Sequence, residues 1–174
     1  MQAIFFLLNA VAGFFTALFL LRFIMQLARV SFAGQIGDFV VKLTNWAVKP
    51  LRRVIPGIGG IDWASLLAAF ALQVCLAGLM FIMVGATPGG DAILVILLIA
   101  VRGVLRLAIY ILIVALIVQA LLSWLNPYSP FVPQVNQLTR PLLKPIRRLL
   151  PPLSGIDLSP LVLILLLQVV LIYL

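Results

Sequence analysis

The sequence predicts an all-α membrane protein with four transmembrane helices, arranged as two tandem helical hairpins of parallel orientation. Three observations lead to this fold class: long apolar segments without charge, an internal repeat, and cations that gather between the apolar segments. Of the 174 residues, 65% are hydrophobic and 9% are charged, whereas soluble domains carry roughly 25% charged residues. This composition is typical of a chain that is embedded in lipid.

The apolar segments are long enough to cross a bilayer, which takes about 20 helical residues. No charged side chain occurs in residues 1–21, 63–90, 107–139 or 158–174. The first segment lacks the basic start, the short apolar core and the small-residue cleavage site of a signal peptide, so we expect a retained anchor. Spanning helices are expected at residues 2–28, 63–85, 92–125 and 158–174.

The chain contains two copies of one unit. A shift of 95 residues aligns residues 43–62 with residues 138–157 without a gap, and 10 of these 20 positions are identical. We therefore expect a first hairpin at residues 1–85, a linker of helix breakers at residues 86–91, and a second hairpin at residues 92–174. Since each unit crosses the membrane twice, both units point the same way, and their symmetry axis should lie along the membrane normal.

The distribution of charge predicts the orientation of the chain in the membrane. Twelve Lys and Arg residues stand against 4 acidic ones, and 10 of these 12 cations fall in residues 22–53 or 140–148. Under the positive-inside rule, both of these loops are cytoplasmic and both termini are periplasmic. Cations gathered between apolar segments favour a membrane surface over nucleic acid as their partner. We expect Arg102 and Arg106 at the outer interface, with residues 92–101 packed along the second spanning helix.

Each of the two loops carries an amphipathic segment. Apolar residues recur at helical spacing at Phe39, Leu43, Trp46 and Ala47 in the first loop, and at Phe131, Val135, Leu138 and Leu142 in the second. This spacing is typical of a helix whose apolar face lies in the acyl boundary of the membrane. The alternative is that these faces pack on the protein itself.

A basic, proline-bounded turn is expected after each amphipathic segment. The first reads Lys49-Pro50-Leu51-Arg52-Arg53, and the second reads Lys144-Pro145-Ile146-Arg147-Arg148. Three cations per motif beside an anionic leaflet would each contribute about 1 kcal/mol of attraction. We therefore expect Lys49, Arg52, Arg53, Lys144, Arg147 and Arg148 to bind anionic lipid or an acidic partner, or else only to fix the orientation.

Asp62 and Asp157 are expected to cap helices. Each follows Gly-Ile and immediately precedes an apolar segment, where a carboxylate accepts hydrogen bonds from the free amides of the first helical turn. The arginine pairs of the basic motifs are close enough in sequence to form ion pairs with them. An intramembrane aspartyl protease dyad is disfavoured, because such enzymes place Asp directly after glycine and inside a span.

Several polar residues are expected within the spans. Gln73 and Gln168 each follow their unit's aspartate by 11 residues, which places both about 16 Å deep in a core of about 30 Å. They could tie helices together by hydrogen bonds or, with Asn9 and Thr16, line an ion path. Arg22 is expected to snorkel toward the headgroups.

The sequence offers little for catalysis or for metal binding. It contains no histidine and no glutamate, and its single cysteine, Cys75, lies in an apolar segment without a second thiol. General-base chemistry and soft metal ligation draw mainly on these residue types. We therefore expect no catalytic residue, no cofactor and no metal site, and we expect Cys75 to serve packing.

The paired K-P-(L/I)-R-R and G-I-D blocks, residues 122–127 (LSWLNP) and residues 155–162 (GIDLSPLV) resemble the YggT family of bacterial inner-membrane proteins. The resemblance covers nearly the whole chain. It implies a small multi-pass protein of the plasma membrane, related to the YlmG proteins of Gram-positive bacteria and chloroplasts. It also implies links to osmotic-stress tolerance, to cell division and, in plastids, to nucleoid distribution and cytochrome maturation.

Two functions fit the sequence. The first is a non-enzymatic membrane scaffold or assembly factor, which interfacial helices, basic loops and the lack of reactive groups favour. The second is a small potassium transporter or channel subunit that acts as an oligomer, because one or two polar groups per span are too few for a monomeric pore. The expected partners are the bilayer with anionic headgroups, other membrane proteins and further copies of the chain, but not nucleic acid.

Overall fold

A computed structural model describes residues 2–55, 57, 60–83, 89–149 and 157–174. Within these ranges the chain forms six α-helices: α1 Gln2–Leu27, α2 Gln35–Val54, α3 Trp63–Met83, α4 Ala92–Leu125, α5 Val132–Leu149 and α6 Ser159–Tyr173. The all-helical prediction is confirmed. Residues 86–88 of the expected linker and residues 155–156 of the repeated G-I-D block lie outside the described residues.

Three of the helices are long and apolar enough to cross a bilayer. The qualifying segments are Ala3–Leu27 in α1, Trp63–Met83 in α3 and Ala92–Ser123 in α4, so the chain has the helices of a membrane protein. The fourth apolar helix, α6, has 15 residues, fewer than the roughly 20 that a span requires. By length, three of the described helices can span a bilayer, whereas α6 is shorter than a span.

The loops expected to be amphipathic are helical along most of their length. α2 continues through Pro50 to Val54, and α5 continues through two prolines to Leu149. The expected basic turns were therefore wrong: both motifs form the last turns of helices, where cations interact favourably with the helix dipole. A proline inside a helix removes one hydrogen bond and crowds the preceding turn, but buried residues such as Val48 and Leu143 hold the two helices against the bundle.

α2 presents different faces to the protein and to its surroundings. The face packed on the bundle carries Val40, Thr44 and Val48, none of which is exposed. Phe39 and Trp46, from the stripe expected at the acyl boundary, are 53% and 67% exposed. In α5, by contrast, the stripe residues Val135 and Leu138 are buried. The first stripe is thus free to contact lipid, whereas the second packs largely on the protein.

The helices of each unit pack in the same way. α2 contacts α1 and α3 in unit one, and α5 contacts α4 and α6 in unit two, while α3 and α1 both contact α4 across the boundary between units. Small buried side chains at Ala64, Ala68 and Ala69 let α3 approach Phe19 and Leu20 of α1 closely. In unit two the shared core joins α4, α5 and α6 through Leu116, Leu143 and Leu163.

α5 also holds unit two to unit one. The Gln137 side chain donates a hydrogen bond to the Arg29 carbonyl at 2.9 Å, and the Gln134 side chain donates one to the Ala33 carbonyl at 3.3 Å. Both acceptors lie in the segment between α1 and α2. The second amphipathic helix, α5, therefore binds the segment that connects α1 to α2 in the first hairpin.

Arg102 and Arg106 do not lie at the end of the α3–α4 pair. Gly103, between them, packs so closely on α3 that a Cβ atom there would lie 2.5 Å from the Gln73 side-chain oxygen. Gln73 is the central residue of Trp63–Met83. The expectation that these arginines sit at the outer interface was therefore wrong, because they flank the middle of a span, and both side chains are exposed.

Candidate functional site

Asp62 lies at the centre of a buried ionic cluster where α1, α2 and α3 meet. Its Oδ2 accepts hydrogen bonds from Arg52 Nη2 and from the Ser65 hydroxyl, both at 2.6 Å. Arg22 Nε of α1 lies 3.5 Å from the same oxygen. The Asp62 side chain is 2% exposed, so two guanidinium groups share one almost completely buried carboxylate.

Asp62 immediately precedes Trp63, the first residue of α3, so its side chain lies at the N-terminal end of that helix. Its Oδ1 accepts a hydrogen bond from the Ser65 backbone N–H at 3.4 Å, which is the contact of an N-capping carboxylate. The Arg52 side chain reaches the cap from the last turn of α2. The expected roles of Asp62, as a cap and as a partner of the basic motif, thus coincide in one place.

Arg22 points into the bundle. Its Nη1 donates hydrogen bonds to Thr44 Oγ1 at 2.7 Å and to Asn45 Oδ1 at 3.1 Å, and the Thr44 hydroxyl donates onward to the Val40 carbonyl at 2.6 Å. Arg22 is 5% exposed. The expectation that it snorkels toward the headgroups was wrong, because α2 and Asp62 supply the polar partners that lipid headgroups would otherwise provide.

Gln26 closes the cluster one turn beyond Arg22. Its amide nitrogen donates a hydrogen bond to the Gly60 carbonyl at 3.1 Å, and its amide oxygen accepts one from Arg52 Nη2 at 3.5 Å. The end of α1 is thereby tied both to α2 and to the turn before α3. The cluster joins the three helices of unit one at a single end of the hairpin.

Electrostatics keep Asp62 ionised. Burial alone would raise the pKa of Asp62, but the hydrogen bonds from Arg52 and Ser65 and the charges of Arg52 and Arg22 lower it below its usual value. A carboxylate held in this way accepts protons only at low pH. The cluster therefore has the chemistry of a structural anchor rather than that of a general base.

The second copy keeps the aspartate–arginine pair in a more open form. Asp157 Oδ2 accepts a hydrogen bond from Arg147 Nε at 2.8 Å and lies 2.7 Å from Arg147 Nη2, and Oδ1 accepts a hydrogen bond from the Ser159 backbone N–H at 3.0 Å. Burial alone would raise the pKa of Asp157, but Ser159 and Arg147 lower it below its usual value. The Asp157 side chain is 38% exposed. The two aspartates thus share a motif and differ in environment.

The six basic residues expected to form one binding surface fall into two groups. Arg52 and Arg147 are held by the aspartates of their own units. The remaining four are exposed at the ends of α2 and α5, namely Lys49, Arg53, Lys144 and Arg148. We refer to these four as the exposed basic set.

The two glutamines expected at one depth have different surroundings. Gln73 is 8% exposed, and its amide donates a hydrogen bond to Thr16 Oγ1 of α1 at 3.3 Å. Gln168 is exposed on α6. Gln73 thus ties α1 to α3 opposite Gly103 of α4, whereas Gln168 faces away from the bundle.

Several members of this site did not stand out in the sequence. Thr44 and Thr139 are identical in the two copies, and this identity was the one available signal for their buried contacts. No comparable signal marked Gln26, Ser65 or Gln119. Among the described residues, no three Cys, His, Asp or Glu side chains lie close enough to hold a metal ion.

The matching motifs and the apolar helices agree with a known family of membrane proteins. The family model described as CCB3/YggT matches residues 1–83 and 98–174. The chain belongs to the CCB3/YggT family. The YggT resemblance of the repeated blocks is thereby confirmed over most of the chain.

Several bacterial proteins resemble this YggT-family chain along most of their length. It is 43% identical over 172 residues to the uncharacterized protein YggT of Escherichia coli, covering 98% of this chain and 88% of that protein. It is 40% identical over 157 residues to an uncharacterized protein of Pseudomonas aeruginosa, covering 89% and 79%. A Vibrio alginolyticus protein is 34% identical over 169 residues, covering 97% and 91%. No solved structure matches the chain.

Proposed function

We propose that this YggT-family protein is a non-enzymatic scaffold or assembly factor of the bacterial inner membrane. The observation that carries the proposal is the division of its charged residues. The buried charges of unit one, Arg22 and Asp62, form an ion pair inside the bundle, whereas the exposed basic set lies at the ends of α2 and α5. Such an arrangement suits a rigid framework that presents cations to an anionic partner.

The proposed architecture has four spans in two parallel hairpins. α2 and α5 each contact both apolar helices of their own unit, as a repeated hairpin with an interfacial helix requires. In this arrangement α6 is the fourth span, both termini are periplasmic, and the exposed basic set lies on the cytoplasmic side. The exposed Trp46 and Phe39 of α2 are suited to the acyl boundary there.

Anionic lipid headgroups and acidic segments of other membrane proteins are the proposed partners. A second copy is a further candidate, because apolar side chains such as Ile93, Leu98 and Leu105 leave one side of α4 exposed. The cellular role proposed from family membership is in osmotic-stress tolerance or cell division. The alternative is a potassium channel, which a measurement of potassium flux through the purified protein in liposomes would distinguish from the scaffold.

Crosslinking in native membranes tests the scaffold proposal with a matched pair of variants. The first variant carries Lys49→Gln and Lys144→Gln, which removes one exposed cation from each basic motif. The control carries Lys42→Gln and Arg140→Gln, which removes one exposed cation from each of the same helices outside the motifs.

We expect a defined set of crosslinked proteins that the first variant loses and the control retains. Binding to vesicles with and without anionic lipid separates the lipid contribution from the protein contribution. Equal crosslinking by both variants would contradict a recruiting role for the motifs. A parent chain that crosslinks to no protein would contradict the scaffold itself.

A further inference from the structure

Unit two contains a polar cavity at the place that corresponds to the ionic cluster of unit one. The cavity has a volume of about 420 Å³ and lies between α4, α5 and the start of α6. Its polar lining residues are Gln119, Ser123, Asn136, Arg147 and Asp157. Volumes of about 300–1,000 Å³ are usual for sites that bind small molecules.

The internal repeat shows which side chain of unit one corresponds to this cavity. Thr44 and Thr139 are related by the 95-residue shift. Thr44 accepts a hydrogen bond from Arg22, whereas the Thr139 hydroxyl donates one to Gln119 Oε1 at 2.6 Å. Gln119 therefore contacts the threonine of its unit as Arg22 does in unit one, at a shift of 97 residues instead of the 95 that relate the two threonines.

The next turn of each helix extends this correspondence. Gln26 follows Arg22 by four residues and belongs to the cluster, and Ser123 follows Gln119 by four residues and lines the cavity. Both replacements are shorter side chains than their counterparts. Unit two thus keeps the framework of the cluster but lacks the guanidinium group that fills it in unit one.

The charges of the two units differ by one. In unit one Arg22, Arg52 and Asp62 sum to +1, and in unit two Arg147 and Asp157 sum to zero. Asp157 therefore has one guanidinium partner where Asp62 has two. A carboxylate with exposed area beside a polar cavity is able to accept a second cation.

Gln119 is a nearly buried side chain at the wall of the cavity. It is 9% exposed, and its amide oxygen is used by Thr139. Among the described residues, none accepts a hydrogen bond from its amide nitrogen. The free amide nitrogen is a donor, and a guanidinium group has no acceptor, so the acceptors for such a ligand come from other residues of the cavity wall.

We propose that this cavity binds the guanidinium group of a small organic molecule, at the position that Arg22 occupies in unit one. The planar guanidinium matches a carboxylate with two parallel hydrogen bonds, and a compact ammonium does not. Asp157 is the anionic partner, and Asn136 and Ser123 supply neutral acceptors. This inference does not depend on the scaffold function, since it concerns a small-molecule site beneath the basic surface.

The test measures binding of methylguanidinium to the full chain in nanodiscs of neutral lipid, by calorimetry at constant ionic strength. We expect saturable binding that Asp157→Asn weakens at least tenfold and that the control Asp38→Asn, an exposed acid on α2, leaves unchanged. Methylammonium should bind at least tenfold more weakly, and potassium should not compete. No saturable binding, potassium binding alone, or unchanged binding by Asp157→Asn would overturn the proposal.

Gln119→Arg supplies the missing guanidinium from within the chain. We expect this variant to unfold at a higher temperature than the parent and to bind methylguanidinium at least tenfold more weakly. A folded Gln119→Arg protein that binds as tightly as the parent would refute the correspondence with Arg22. If this variant does not fold, the comparison of Asp157→Asn with Asp38→Asn decides the question.

Discussion

Arg22 and Asp62 form an ion pair across α1 and the start of α3, with side chains that are only 6% and 2% exposed. Removing one member of a buried pair leaves an uncompensated charge, which costs about 3–5 kcal/mol. Removing one member of an exposed pair costs about 0–1 kcal/mol. The two units should therefore differ in their dependence on the same motif.

The first prediction compares the two aspartates. Asp62→Ala should lower the free energy of unfolding by about 3–5 kcal/mol, because Arg22 remains buried without a counter-ion. The expected capping role of Asp157 was wrong, because the N-cap residue of α6 is Leu158 and, among the amides of that helix, Asp157 bonds only the Ser159 N–H. Asp157→Ala should therefore cost about 0.5–1.5 kcal/mol, the usual net contribution of one hydrogen bond. Equilibrium unfolding in detergent micelles measures both. Equal decreases in the free energy of unfolding for the two variants would show that burial of the Arg22–Asp62 pair does not raise the cost of removing its carboxylate.

The second prediction compares two adjacent arginines of one motif. Arg52→Gln should lower the free energy of unfolding by about 1.5 kcal/mol, near the low end for a hydrogen bond to a charged group, because Arg52 is half-exposed. Arg53→Gln should stay within about 0.5 kcal/mol of the parent, since Arg53 is exposed. Equilibrium unfolding in detergent micelles measures both variants. A larger loss for Arg53→Gln would reverse the division into paired and exposed cations.

The sequence predicted the helices well and the cluster poorly. Apolar length and helical spacing located all six helices or their segments, since both depend on neighbouring residues. Arg22 was misplaced because its partners Thr44 and Asp62 lie on other elements, and spacing within α1 carries no information about them. Arg102 was misplaced for the same reason: its depth follows from the contact of Gly103 with Gln73.

The third prediction concerns the junction of α1, α3 and α4. A Cβ atom at position 103 would displace the Gln73 amide and with it the hydrogen bond to Thr16. Such bonds contribute about 0.6 kcal/mol on average inside membranes. Because alanine is favoured over glycine inside a helix by about 0.5–1 kcal/mol, Gly103→Ala should be close to neutral in the parent and stabilising by about that amount in a Gln73→Ala background. A double-mutant cycle of unfolding free energies measures the coupling, and additive effects would contradict the contact.

The fourth prediction is a loss of stability at acid pH. Because the pKa of Asp62 is lowered in the folded chain, its ionisation stabilises the fold fully above the unfolded pKa of about 3.9. That contribution disappears as the pH falls through the lower folded value. The pKa of Asp157 is lowered too, so both aspartates contribute in the same direction.

Melting temperatures measured from pH 6 down to about pH 3 test this dependence. We expect the parent to lose stability steeply below about pH 4, and Asp62→Asn with Asp157→Asn to start lower and to change less. A parent and a double variant with parallel profiles would assign the acid sensitivity to other groups.

Potassium flux through purified protein in liposomes tests most directly the central claim that the polar side chains inside the bundle are structural. The account predicts that potassium leaks no faster than from protein-free liposomes, and that Gln73→Leu with Gln168→Leu still inserts normally, because Gln73 is used by Thr16. Robust potassium flux through the parent chain that this double variant abolishes would contradict the claim and establish an ion path.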